Sequence, residues 1–141
     1  MQIEGFEELN KIFSDLKDVP ASVMDDTLTA MAKVGAEKIK QHGESMGVRD
    51  AESSVHILDK IKVKKFKKTE TGGYVDISFS GLRTRDGKKT NNTAIAFLNE
   101  YGTREQAARP FVREAIEEDG DEIAAPGIEI FGDWMEKTFE K

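Results

Sequence analysis

At 141 residues, with 38% hydrophobic and 34% charged side chains, the chain has the size of one domain, 1–141, and is too short for a second independent core. Twenty-seven acidic against 21 basic residues leave a net charge of -6, which excludes a general nucleic-acid coat because the molecule as a whole repels a polyanion. There is no cysteine, which excludes disulfide frameworks, thiolate metal sites and thiol catalysis, and the acidic start MQIEGFEELNK reads as neither a signal peptide nor a membrane span.

In chain order, Ile3, Phe6, Leu9, Ile12, Phe13 and Leu16 recur at three- and four-residue steps and predict an amphipathic helix that ends at Asp18-Val19-Pro20. A second helix is predicted from about Pro20 to His42, carrying Met24, Leu28, Met31, Gly35 and Ile39, with Gly43 as its stop. Residues 44–54 are small and polar and read as a loop, and residues 56–61 as a short helical turn. Ile61 and Val63, then Val75, Ile77 and Phe79, alternate with polar residues about Glu70-Thr71-Gly72-Gly73 and predict a β-hairpin, broken near Lys65 because Phe66 falls out of step. Residues 81–92 contain one apolar side chain and are expected to form a long mobile loop. Asn92 or Thr93 then caps a short helix carrying Ala94, Ile95, Phe97, Leu98 and Tyr101. Gly102 is expected to end it in the left-handed conformation, which asparagine also tolerates. A helix restarts at Arg109-Pro110-Phe111, and Gly120, Pro126 and Gly127 are expected to cut the remainder into pieces, the last carrying Ile128, Phe131, Trp134, Met135 and Phe139. The expected fold class is α+β, with the N-terminal and later helices packed on a small antiparallel sheet.

Residues alone supply no catalytic constellation. Gly81 to Thr90 follows a strand as a phosphate loop does, but five residues separate Gly81 from Gly87 and Lys89 stands where Ser or Thr would hold a metal. His42 and His56 have no partner at metal-ligand spacing and read as surface imidazoles, and Glu117, Glu118, Asp119, Asp121 and Glu122 read as a solvated acidic turn without calcium-loop spacing. No cofactor, no metal and no enzymatic activity are expected. Charge is segregated instead: residues 59–89 carry 10 basic and 4 acidic groups (+6), and residues 114–141 carry 2 and 10 (-8). Lys64, Lys65, Lys67, Lys68, Arg83, Arg85, Lys88 and Lys89 are the candidate interaction residues, facing an acidic surface of another copy or another protein.

The run Ile95 to Thr103, ending Glu100-Tyr101-Gly102-Thr103, followed by Arg109-Pro110-Phe111-Val112-Arg113-Glu114-Ala115, resembles the signature of the tailed-phage neck or tail-completion proteins typified by the gene-ten product of a lambda-like siphophage. That pattern is an apolar run into Glu-aromatic-Gly-Thr, a short polar loop, Arg/Gln-Pro-Phe and an acidic helix containing alanine. The N-terminal helices and the lysine-rich hairpin also fit the family's layout, so the resemblance covers most of the chain, although about twenty residues carry it. It implies a virion protein, made in the bacterial host cytoplasm, that joins the DNA-filled head to the tail as a neck, connector or tail-completion subunit. Its implied partners are copies of itself in a ring, other neck, adaptor or tail-tube proteins, and passively the DNA of the channel, with no membrane.

Independently of the family, Arg109 before Pro110 is pushed to an extended conformation, and Phe111 is expected in the core. Glu100 to Thr103 reads most simply as a helix end. The rival function is a DNA-binding accessory module using the lysine-rich segment 60–89, against which stand the overall charge and the shortage of aromatics among these lysines.

Overall fold

The computed structural model describes residues 19–48, 56–85 and 87–139; the helix expected over 3–16 and much of the loop expected over 44–54 lie outside them. The fold is α+β. Helix α1 (Ala21–Ser45) leads through a 3-10 turn (Ile57–Lys60) into six short strands, β1 (Ile61–Val63), β2 (Lys67–Thr69), β3 (Gly72–Tyr74), β4 (Ile77–Phe79), β5 (Leu82–Arg85) and β6 (Lys88–Asn91), then α2 (Asn92–Tyr101) and α3 (Phe111–Phe139).

The predicted stop of α1 moves by one turn. Gly43 is a buried helical residue, because a Cβ there would sit 2.5 Å from Leu58 Cδ2 and 3.2 Å from Phe111 Cδ2. The chain turns at Gly47 (φ +75), where the N–H of Val48 bonds Gly43 O (2.8 Å), that of Gly47 bonds Glu44 O (3.2 Å), and Val48 closes the helix end as an apolar plug.

The first hairpin is one ladder with a gap. β1 pairs with β4 (Lys62 opposite Ser78) and β2 with β3 (Lys68 opposite Gly73), joined across the break by Lys64 N–H to Asp76 O at 2.8 Å. The break falls at the expected place, and Gly73 leaves the room in which the Phe66 ring lies. Residues 81–92 are not a loop. β5 and β6 form a second antiparallel hairpin whose turn includes Gly87 at φ +76. Asp-Gly is a strong hairpin signal, masked here because the flanking strands lack an apolar face.

α1 and α3 run antiparallel, with Gly43 beside Phe111, Gly35 beside Ile123 and Gly127 admitting Met31. The break expected at Gly120 falls one residue earlier, at Asp119 (φ -108, ψ 15), where two helical segments meet at a kink, whereas Pro126 and Gly127 lie inside continuous helix and cut nothing. The acidic run around that kink is solvated as expected, with Glu117, Glu118, Asp121 and Glu122 exposed, but it belongs to a helix rather than a turn, and three of its members reach α1: Asp119 Oδ2 lies 2.7 Å from His42 Nε2, Glu118 Oε2 4.0 Å from the same nitrogen, and Glu122 2.5 Å from Lys38 Nζ. His42 is therefore an interhelical side chain, not a surface imidazole, and His56 is likewise half-buried. Glu122 holds the Lys38 ammonium above its ordinary range by hydrogen bond and charge. The core (Ile39, Val48, Ile57, Leu58, Ile95, Ala96, Phe111, Ala115) sits where the C-terminal end of α1 meets the 3-10 turn, α2 and the start of α3.

Candidate functional site

The signature residues converge at the α2–α3 junction. Asn91, rather than Asn92 or Thr93, caps α2 by accepting the N–H of Ala94 (2.7 Å). Asn92 is wholly buried, donating from Nδ2 to Ser80 O (2.7 Å) and accepting from Arg83 Nε (2.8 Å), which locks the second hairpin to the helix start.

At the other end Gly102 donates to Leu98 O (2.9 Å) with φ +78, the positive φ expected, but ψ 174. That is not the left-handed helical well that asparagine tolerates; it is an extended mirror region open in practice only to glycine. A Cβ would also meet Ala108 N at 2.8 Å and Gln106 O at 3.0 Å, so the returning loop is packed on the bare α-carbon. Thr103 folds that loop: its N–H donates to Gln106 O (2.8 Å) and its hydroxyl accepts the N–H groups of Glu105 (3.2 Å) and Gln106 (3.1 Å). Asn99 ties the loop to α2, its side-chain oxygen accepting from Gln106 Nε2 (3.0 Å) and its carbonyl from Arg109 N–H (2.6 Å).

The two carboxylate oxygens of Glu100 accept the N–H groups of Val112 (2.9 Å) and Arg113 (3.0 Å), capping α3 from a neighbouring helix at its positive end. Arg109 reaches the other way, donating from Nη1 to Gly47 O (3.0 Å) at the C-terminal turn of α1. Pro110 needs no donor at the position before the helix, and Phe111 is 0% exposed, edge-on to Phe79 with ring centroids 5.9 Å apart. Glu100, Gly102, Thr103, Arg109, Pro110 and Phe111 thus form one clasp holding three helices. Tyr101 is the exception: it is 69% exposed, with its ring against Phe97 (centroids 4.6 Å).

The candidate interaction residues fall into separate groups. Lys64, Lys65, Lys67 and Lys68 are exposed on the first hairpin, and Lys88 and Lys89 on the second, where Arg85 holds the register position opposite Lys88. Arg83 is not part of that surface, being half-buried on Asn92. Among the described residues no group of three His, Cys, Asp or Glu side chains is placed to hold a metal ion, and no helix is long and apolar enough to cross a membrane.

A groove of about 580 Å³ opens beside the clasp between β4, α2 and the first turns of α3, lined by Phe79, Phe97, Tyr101, Val112 and Ile116. Of the apolar residues that the short helix carries, Ile95 and Ala96 are buried while Phe97 and Tyr101 face out. Six apolar residues within the eight positions 94–101 exceed what one face of a short helix holds, and that excess is the available signal. No family model matches the chain, and no curated protein or solved structure shows significant similarity to it.

Proposed function

We propose that this chain is a structural subunit of a phage or prophage particle, placed at the junction of the DNA-filled head and the tail as a neck, connector or tail-completion protein. It acts by assembly with copies of itself and with neighbouring neck, adaptor or tail-tube proteins rather than by catalysis, in the virion after synthesis in the bacterial host. The observation that carries this reading is the ordered signature Glu100-Tyr101-Gly102-Thr103 and Arg109-Pro110-Phe111, together with what its residues do. Six of the seven are mutually dependent parts of one clasp, so their joint occurrence in order reflects a shared local structure rather than composition. The exposed lysines of the two hairpins and the acid-rich α3 add oppositely charged surfaces suited to fixing register between subunits.

Disrupting the gene in the phage or prophage that carries it tests the reading. Electron micrographs are expected to show filled heads and complete tails that do not join, restored by the gene supplied in trans; normally joined, infectious particles would overturn it.

A further inference from the structure

The chain carries two charged faces of opposite sign. Lys62, Lys64, Lys65, Lys67 and Lys68 are exposed along the first hairpin, and no acidic residue interrupts the run from Lys60 to Lys68. On α3, Asp121, Glu129, Asp133 and Glu136 are exposed, and between the first and the last of them there is no basic residue. Their steps of eight, four and three residues keep them on one side of the helix. Among the described residues none of these lysines or carboxylates has an ion-pair partner, whereas Lys38 with Glu122 and Lys40 with Asp59 show charges paired where elements of the chain meet.

Folding turns the two faces away from each other. Ile77 and Ile123 come together at Gly35 of α1, where a Cβ would lie 3.3 Å from the one and 3.7 Å from the other, so the hairpin and α3 both pack by their apolar sides. Lys62 and Lys64 alternate with Ile61 and Val63 and therefore project from the opposite side of the ladder. At about 100° per residue, Asp121, Glu129 and Glu136 fall within about 60° of the direction opposite Ile123. The faces also agree in length, about 20 Å of extended chain from Lys62 to Lys68 and about 22 Å of helix from Asp121 to Glu136.

We propose that the lysine row of the first hairpin docks on the Asp121-to-Glu136 face of α3 in a second copy of this chain. The proposal rests on the assembly reading above and names the two surfaces through which copies meet. Rows of like charge repel themselves, and a surface of opposite sign relieves both rows at once. A nucleic acid would engage the lysines alone, whereas a second copy engages both faces. Because the two surfaces differ and every copy carries both, the contact is head-to-tail and repeats from copy to copy, as in rings and filaments.

Charge reversal tests this, with self-association of the full-length protein at low salt read by sedimentation equilibrium. One variant carries Lys64→Glu, Lys65→Glu, Lys67→Glu and Lys68→Glu, the other Asp121→Lys, Glu129→Lys, Asp133→Lys and Glu136→Lys, and each is expected to associate at least about tenfold more weakly than wild type. The second moves the net charge from -6 to +2, so it associates better than wild type if total repulsion governs and worse if the matched faces do. The chain with both sets keeps the net charge of -6 and is expected to regain association. Should a fourfold variant fail to fold, Lys67→Glu, Glu129→Lys and their combination are compared in the same way. Association unchanged by either reversal, or lost and not regained on combining them, would overturn this contact while leaving assembly through another surface intact. A wild-type protein that stays monomeric at high concentration would also overturn it, and the particle-joining experiment would then decide the assembly reading separately.

Discussion

The carboxylate of Glu100 in the last turn of α2 accepts the N–H of Val112 at 2.9 Å, so the end of one helix caps the beginning of the next across an intervening loop. Its second oxygen takes Arg113 N–H, which removes two of the unpaired donors that every helix start carries. The clasp therefore depends on a charge-assisted contact between residues twelve positions apart.

Glu100→Ala should cost about 1–2 kcal/mol, and Glu100→Gln, which keeps one oxygen acceptor, roughly half of that. Thermal unfolding followed by circular dichroism reads this as a midpoint lowered by about 3–8 °C for the alanine variant. Equal midpoints for wild type and alanine would show that the cap contributes nothing.

At Gly102 the structure reverses the expectation raised by sequence. With ψ at 174, Gly102→Asn should be destabilising by an amount similar to Gly102→Ala, on the order of 1–3 kcal/mol each, because both side chains meet the same backbone wall. Urea unfolding of the two variants checks this. A near-native asparagine variant would mean that the residue relaxes into the left-handed helical well.

Asn92 anchors the second hairpin through Ser80 O and Arg83 Nε. Asn92→Ala leaves a buried carbonyl and a guanidinium without that partner, a loss of about 1–3 kcal/mol. Amide hydrogen exchange should accelerate selectively over residues 80–91, and uniform acceleration throughout the protein would contradict a local anchor.

The lysines of the two hairpins are exposed, and the proposed function has them meet protein rather than nucleic acid. Duplex DNA should therefore bind more weakly than about 1 μM at low salt, with a shallow salt dependence, because few phosphates are neutralised. Self-association, by contrast, should weaken at high salt and in the combined Lys64, Lys65, Lys67 and Lys68 to Glu variant when light scattering is compared across salt concentrations. Tight, steeply salt-sensitive DNA binding would favour the accessory-module reading instead.

Local periodicity made α1, the first hairpin with its break at Phe66, α2 and the core position of Phe111 legible, since each is written in the spacing of neighbouring residues. Features decided by distant partners were not legible. Gly43 has the local look of a stop, but Leu58 and Phe111 pack against it inside the helix, and Pro126 and Gly127 have the look of breaks although α3 kinks at Asp119, next to Gly120 and beside His42. The second hairpin escaped because its alternation is polar on both faces, held by one buried asparagine rather than an apolar stripe. Of the site, the signature was visible as a string, but Glu100 as a cap on α3 and the outward face of α2 required the third dimension.

The most direct measurement is immunogold labelling of purified particles with antibody raised against this chain, viewed by electron microscopy. Gold confined to the head–tail junction, at several copies per particle, is the result expected. Label spread over the capsid or tail shaft, or particles free of label and of the chain by mass spectrometry, would contradict a junction subunit.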